Sequence, residues 1–233
     1  MPVCEPPTSA WPAVSPRSAP WQRPLDIVLT LVLLPAALPL IALLVLAVRM
    51  DSPGPAIFRQ ERLGVNGRRF WLFKLRSMRA EADEGEHRRR VDELLRPAGK
   101  GRPWLPPAED PRVTRLGRFL RQSGLDELPQ LLNVLRGEMS LVGPRPALPY
   151  EAEQWASWHR RRLGVRPGLT GLWQVTGRDP ADRRPVDFDG MVRLDLDYIG
   201  RRSLALDLWI LGMTPAALWR RRALARTQDL RER

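Results

Sequence analysis

Two adjacent carboxylates, Asp126 and Glu127, open the segment Asp126-Glu-Leu-Pro-Gln130. Proline is tolerated in a first helical turn and excluded deeper in, so Pro129 predicts a helix from about Asp126 to Arg136. Amide donors at such a start are unpaired. They attract anions, and can hold a phosphate or keep a carboxylate ionised. An ionised aspartate can act as a nucleophile, and its neighbour can share a divalent cation with phosphate oxygens. Alone, the pair means little, because acidic residues are routine helix caps.

The segments around the pair carry more. Ser140-Leu-Val-Gly-Pro144-Arg145-Pro146 follows directly. An arginine between two prolines has a restricted backbone, which pre-organises a guanidinium for a two-point grip on phosphate. The plain alternative is a rigid loop with a surface arginine. Arg166-Pro-Gly-Leu-Thr-Gly171 is a glycine-rich turn that lets backbone approach a ligand, with Trp173 close behind. Lys74 lies in Phe73-Lys-Leu-Arg76-Ser-Met78, which ends a strand. Only Lys74 and Lys100 are lysine, so a mobile ammonium stands out there. There is no Walker loop and no dinucleotide fingerprint. The single cysteine, Cys4, excludes an internal disulfide and a cysteine metal site, and His87 and His159 lack ligand spacing.

These residues need a frame, and the frame begins in a membrane candidate. Leu25 to Val48 is one apolar run, long enough to cross a bilayer. Pro35 and Pro39 interrupt it and predict two half-helices that dip into one leaflet and return. A kinked spanning helix is the alternative. Arg17 and Arg23 precede the run; Arg49, Arg59, Arg62, Arg68 and Arg69 follow it. A spanning helix carries its basic bias on one side, so neither end looks translocated. Trp21 sits where an interfacial aromatic would anchor the entry. Six prolines before Trp21 and no small-residue cleavage site argue against a signal peptide.

The fold class expected is α+β, mostly helical. A re-entrant membrane helix leads a cytoplasmic catalytic domain with a short β-hairpin and interfacial amphipathic helices. Residues 1–22 read as a disordered Pro-rich leader, 23–50 as the re-entrant helix, 51–225 as the membrane-associated catalytic domain and 226–233 as a tail. Asn66-Gly67 marks a hairpin turn between Ile57-Phe58 and Arg69 to Leu75. Residues 79–96 read as a polar helix and 97–111 as a Pro-rich linker. Val113, Leu116, Phe119 and Leu120 share one helical face opposite Arg112, Arg115, Arg118 and Arg121, spacing that suits a membrane surface or a core helix with a solvated side. Leu204 to Met213 and Ala216 to Ala225 read as two further interfacial segments beside Trp209 and Trp219. The net charge of +12 favours anionic partners.

Taken in order, these pieces resemble the bacterial sugar transferase family, the monotopic polyprenyl-phosphate phosphoglycosyl transferases. The matching residues are Arg23 with Asp26, Ser52-Pro-Gly-Pro55, Gln60-Glu-Arg62-Leu-Gly64, Lys74-Leu-Arg76-Ser-Met78, Asp126-Glu127-Leu-Pro-Gln130, Val142-Gly-Pro-Arg-Pro146 and Arg166-Pro-Gly-Leu-Thr-Gly171. Leu194-Asp-Leu-Asp197-Tyr198 and Asp207 also fit. Gly124, where the family commonly has serine, and Ser77, where it has threonine, are mild departures.

The resemblance implies transfer of a sugar 1-phosphate from a nucleotide diphosphate sugar to a polyprenyl phosphate at the cytoplasmic face of the bacterial inner membrane. By resemblance, Asp126 is the nucleophile and Glu127 binds Mg²⁺. Arg145, Arg121, Lys74, Arg76, Arg166 and Arg178 would serve substrate phosphates. Partners would be the two substrates and the lipid bilayer, with self-association into a homo-oligomer left open. A non-catalytic export scaffold would not account for the carboxylate–arginine grouping. Nucleic acid is not an expected partner, because no basic recognition helix interleaved with aromatics and no zinc pattern is present.

Overall fold

The computed structural model describes residues 19–79, 112–176 and 188–229. The expected leader up to residue 18, the polar helix from residue 80, the linker 97–111 and Arg178 lie outside these residues. Among the described residues, helices dominate and two two-stranded sheets join them.

The apolar run forms α1, Gln22–Asp51. By length and composition it is long and apolar enough to cross a bilayer. The two half-helices expected at Pro35 and Pro39 are instead one helix. Each proline removes a single backbone donor, and strong helix formers flank both. The buried side chains stay in phase across them: Gln22, Asp26, Thr30, Ala37, Leu44 and Val48 recur at intervals of four and seven. The opposite side exposes Val28, Leu31, Val32, Leu33, Leu38, Leu43 and Leu46.

Strands β1, Ile57–Leu63, and β2, Arg69–Leu75, form the expected antiparallel hairpin, with β1 longer than its sequence suggested. Asn66 takes a left-handed conformation in the turn, which asparagine tolerates. Helix α2, Arg115–Ser123, is capped by Thr114 Oγ1, which accepts from the Gly117 amide at 2.9 Å. Its apolar face buries Leu120 completely, while Arg115 and Arg118 face outward and Phe119 stays half-exposed.

The helix expected from Asp126 is a 3-10 turn over Leu125–Gln130 that leads into a short α3, Leu131–Arg136. Pro129 has no amide to donate to Leu125, so the α pattern cannot begin there. Asn133 ties α3 to β2: its Nδ2 donates to Trp71 O at 2.7 Å and its Oδ1 accepts from Phe73 N at 3.3 Å. Strand β3, Ser140–Val142, pairs in parallel with β4, Gly168–Thr170. Between them lies α4, Pro149–Glu153; after β4 come α5, Leu172–Thr176, and α6, Phe188–Arg201. The two segments expected near the C-terminus are one helix, α7, Leu204–Asp229, which runs through Pro215.

The main apolar cluster joins Phe70, Leu72, Leu131, Val134, Leu141, Val142, Ile199 and Ile210, with Ala37 of α1. A second packs Trp155, Leu163, Trp173 and Phe188. A third, with Leu44, Val48, Leu75 and Leu120, seats the C-terminal part of α1 against β2 and α2.

Polar side chains fasten both ends of α1 to the same body. At the N-terminal end, Asp26 Oδ1 accepts from Ser140 Oγ at 2.9 Å and Leu141 N at 2.8 Å. Gln22 Nε2 donates to Val142 O at 3.0 Å, and Arg23 Nη2 donates to Leu135 O at 2.7 Å. At the other end, Arg76 donates to Pro53 O at 2.8 Å, Ser52 O at 2.5 Å and Val48 O at 3.3 Å. These are the last carbonyls of α1 and the turn beyond it, which a cation suits.

Candidate active site

The Pro144-Arg145-Pro146 loop is held by its backbone. Pro144 O accepts from Gly168 N at 2.8 Å and Arg145 O from Arg162 Nη2 at 3.1 Å. Pro146 O accepts from Arg62 Nη1 at 3.1 Å and Ala147 O from Leu63 N at 2.9 Å. Four successive carbonyls are therefore fixed, which sets the backbone from which the Arg145 side chain reaches the cleft. The glycine-rich turn makes this possible. A Cβ on Gly168 would lie 2.1 Å from Gly143 N, so β3 and β4 meet backbone to backbone only because both positions are glycine.

Behind the loop, Arg162 pairs with Asp195 at 2.5 Å, both buried. Burial pushes the Asp195 carboxyl up to about 6 despite this partner. The Leu194-Asp-Leu-Asp-Tyr198 segment thus supports the arginine loop from below.

A narrow cleft opens where three of the expected residues converge. It is lined by Lys74 from β2, Glu127 from the 3-10 turn and Arg145 from the loop, together with Arg62, Gln130, Gln174, Gly168 and Leu169. Lys74 Nζ stands 3.3 Å from Glu127 Oε1. The cleft holds about 20 Å³, room for little more than one water-sized group. That suits a phosphate oxygen wedged between cations and is too small for a sugar ring. Asp126, one residue earlier, is buried at 7 % exposure. Gly124, left-handed at φ 72°, ends α2 and turns the chain into this segment.

The other expected residues lie elsewhere. Arg76 is committed to the end of α1. Arg121 Nε donates to Ser77 Oγ at 2.8 Å and joins α2 to the end of β2. Arg166 Nε donates to Gly137 O at 3.0 Å, beyond the end of α3. None of the three lines the cleft.

Arg62 was visible in the sequence only as one flanking cation and as part of a motif. It is 5 % exposed, and its Nη2 donates to Gln60 Oε1 at 2.7 Å while its Nε is buried without a protein acceptor. Burial and the nearby Arg145 charge pull its guanidinium down to about 10. Its spacing two residues after Gln60, on a strand, was the available signal. Gln130 and Gln174 were missed because neutral amides carry no charge signature.

Among the described residues no cluster of three or more His, Cys, Asp or Glu could form an all-protein metal cage. Glu127 at the cleft fits a Mg²⁺ ion of the other kind, held by one or two carboxylates plus substrate phosphates.

Comparison with known proteins decides the family. The model of a bacterial sugar transferase matches residues 17–221. The chain belongs to the bacterial sugar transferase family. Every segment that builds the cleft lies inside the matched stretch. Among relatives in the family, the galactosyl transferase CpsE of Streptococcus agalactiae serotype III is 44% identical over 171 residues, covering 73% of this chain and 36% of CpsE. A UDP-glucose:undecaprenyl-phosphate glucose-1-phosphate transferase of Caulobacter vibrioides is 40% identical, covering 84% of this chain and 69% of the relative. The exopolysaccharide production protein ExoY of Sinorhizobium fredii is 37% identical, covering 88% of each. Against several curated relatives the chain spans little more than a third of their length.

Proposed function

We propose that this chain transfers a sugar 1-phosphate from a UDP-sugar to undecaprenyl phosphate at the membrane surface, through a phospho-aspartyl intermediate. The observation that carries the reading is the convergence of Lys74, Arg62 and Arg145 around Glu127, beside a buried Asp126. Three cations against one carboxylate leave the cleft lining with a surplus of two positive charges, which matches a diphosphate. Family relatives named for undecaprenyl-phosphate sugar transfer support the substrate class.

Phosphoryl transfer needs positioning and charge neutralisation more than acid–base machinery. In the first half-reaction an Asp126 carboxylate oxygen attacks the sugar-bearing phosphorus. The bond to the bridging oxygen breaks, and the nucleoside monophosphate leaves with that electron pair. Arg145 and Arg62 hold non-bridging oxygens, and Lys74 offsets the charge that grows on the leaving group. In the second, the lipid phosphate oxygen attacks the same phosphorus and Asp126 is released as carboxylate. Mg²⁺ on Glu127 would neutralise the diphosphate.

The membrane arrangement follows the same logic. A helix fastened to one body at both ends lies against a single face of the bilayer. The apolar outer side of α1 then meets lipid, where the acceptor resides. This favours a monotopic reading over a spanning one and suits a domain on the cytoplasmic face.

The test is a donor-only reaction. With Mg²⁺ and a panel of UDP-sugars, and no lipid acceptor, one nucleoside monophosphate should be released per enzyme. Mass spectrometry should find one sugar phosphate on Asp126, and Asp126→Asn should carry none. Turnover by the wild type with no adduct on rapid quench would replace the two-step mechanism with direct transfer.

A further inference from the structure

The 3-10 turn that carries Asp126 also touches a second cavity. Glu127 lines the charged cleft, but Leu125 lines an apolar crevice of about 250 Å³ with Ser123, Pro215, Leu218 and Trp219. The crevice lies between the end of α2 and the middle of α7. α7 presses closely here: a Cβ on Gly124 would sit 3.2 Å from Leu218 Cδ2. Trp219 is 70 % exposed, and Phe119, one turn before Ser123 on the same face of α2, is 49 % exposed. Two large apolar side chains therefore stay in contact with solvent beside the crevice.

We infer that this crevice holds the first isoprene units of the polyprenyl phosphate acceptor. The inference rests on the transferase reading above. In that reaction the acceptor's phosphate must reach the phosphorus on Asp126, so its hydrocarbon tail must begin within a few bonds of that residue. The charged cleft cannot take a tail, because its lining carries Arg62, Lys74, Glu127 and Arg145. Leu125, adjacent to Asp126, opens onto apolar walls instead. An apolar cavity of about 150 Å³ accommodates a benzene ring, so 250 Å³ has room for a short branched hydrocarbon segment. Trp219 at the mouth suits the boundary between lipid and water, from which the rest of the tail would extend. The residues on either side of Asp126 in the chain thus meet two substrates of opposite character, Glu127 the charged one and Leu125 the apolar one.

The test uses the full chain in detergent micelles with a turned-over UDP-sugar and undecaprenyl phosphate. Leu218→Gln and Trp219→Gln are the variants. The donor-only burst of nucleoside monophosphate should keep its amplitude in both, which also reports an intact fold. The KM for undecaprenyl phosphate should rise about tenfold, the scale of one lost aromatic or aliphatic contact. A prenyl phosphate with a diazirine in its first two isoprene units should label the peptide containing residues 215–219.

If the wild type transfers sugar phosphate while both variants keep the wild-type acceptor KM, the crevice assignment is wrong and the transferase reading stands. Labelling confined to α1 also overturns it. A KM defect that appears on liposomes and vanishes in micelles makes Trp219 a membrane anchor and overturns it as well. A wild type that releases no nucleotide from any UDP-sugar and transfers nothing brings down both readings.

Discussion

Arg62→Gln separates chemistry from scaffolding at the cleft. In the resting protein burial and the Arg145 charge draw the Arg62 guanidinium down to about 10, so keeping it charged costs about 3 kcal/mol. Glutamine removes that cost. It also loses one of the two bonds, to Pro146 O or Gln60 Oε1, worth about 1.5–3 kcal/mol from a charged donor. The opposing terms leave a net stability change within about 2 kcal/mol, a melting shift of no more than roughly 8 °C for a domain this size. Substrate is affected differently. A phosphate oxygen of the diphosphate seated in the cleft loses a charge-assisted contact, so kcat/KM for the UDP-sugar should fall about 10- to 100-fold. Steady-state kinetics and thermal unfolding on the same preparation read both quantities. Arg62→Lys should recover part of the loss, since the charge returns without the fork. If kcat/KM stays within about threefold of wild type, Arg62 does not contact the diphosphate. A melting drop well beyond about 10 °C would make it a strut for the Pro146 loop.

Arg76→Ala should show the reverse pattern: three carbonyls at the end of α1 lose their donor, so stability should fall by about 2–4 kcal/mol, while KM for the UDP-sugar in the folded fraction stays near wild type. A raised KM at unchanged melting temperature would restore Arg76 to the phosphate site. Chelation should abolish turnover and Mg²⁺ should restore it. Glu127→Gln should need far more Mg²⁺ for half-maximal rate; an unchanged Mg²⁺ dependence would remove the metal from Glu127. For topology, cysteines at Ser9 and Asp51 in a Cys4→Ser background should resist a membrane-impermeant thiol reagent in intact spheroplasts and react once the membrane is opened. Labelling at position 9 in intact cells would make α1 a spanning helix.

The parts of the fold that depend on local chemistry were legible in the sequence. Asn66-Gly67 encodes its hairpin, and the Leu120 face of α2 follows from helical period alone. The Asp126-Glu127, Lys74 and Arg145 grouping was legible through motif order, and Lys74, Glu127 and Arg145 do meet at one cleft. The remainder depended on packing. Whether Pro35 and Pro39 divide α1 turns on the stripe from Gln22 to Val48 finding continuous partners on one body, and a sequence does not name those partners. The 3-10 form of Leu125–Gln130 depends on Gly124 and Pro129 acting together. Arg62 looked like a flank charge because the strand that buries it is paired with residues 69–75, and that pairing determines which side chains point into the cleft.

The arginines divide by what their guanidinium groups meet. Arg23, Arg76 and Arg166 each donate to carbonyls at or near helix ends, where backbone oxygens lack intrahelical partners. Arg162 also donates to a carbonyl, but its buried charge is balanced by Asp195. These four give α1, α3 and the Arg145 loop their positions, and a lysine could not replace the two-carbonyl grip of Arg23 or Arg76. Arg62 and Arg145 belong to a second group, facing a cavity that also holds Lys74 and Glu127. Burying Arg62 close to another cation costs stability in the resting protein, a cost that Glu151 and Glu127 offset in part. An arginine-rich composition is therefore a poor guide to the site. The informative quantity is which guanidinium lines the cleft rather than a helix end, and among the described residues these are Arg62 and Arg145.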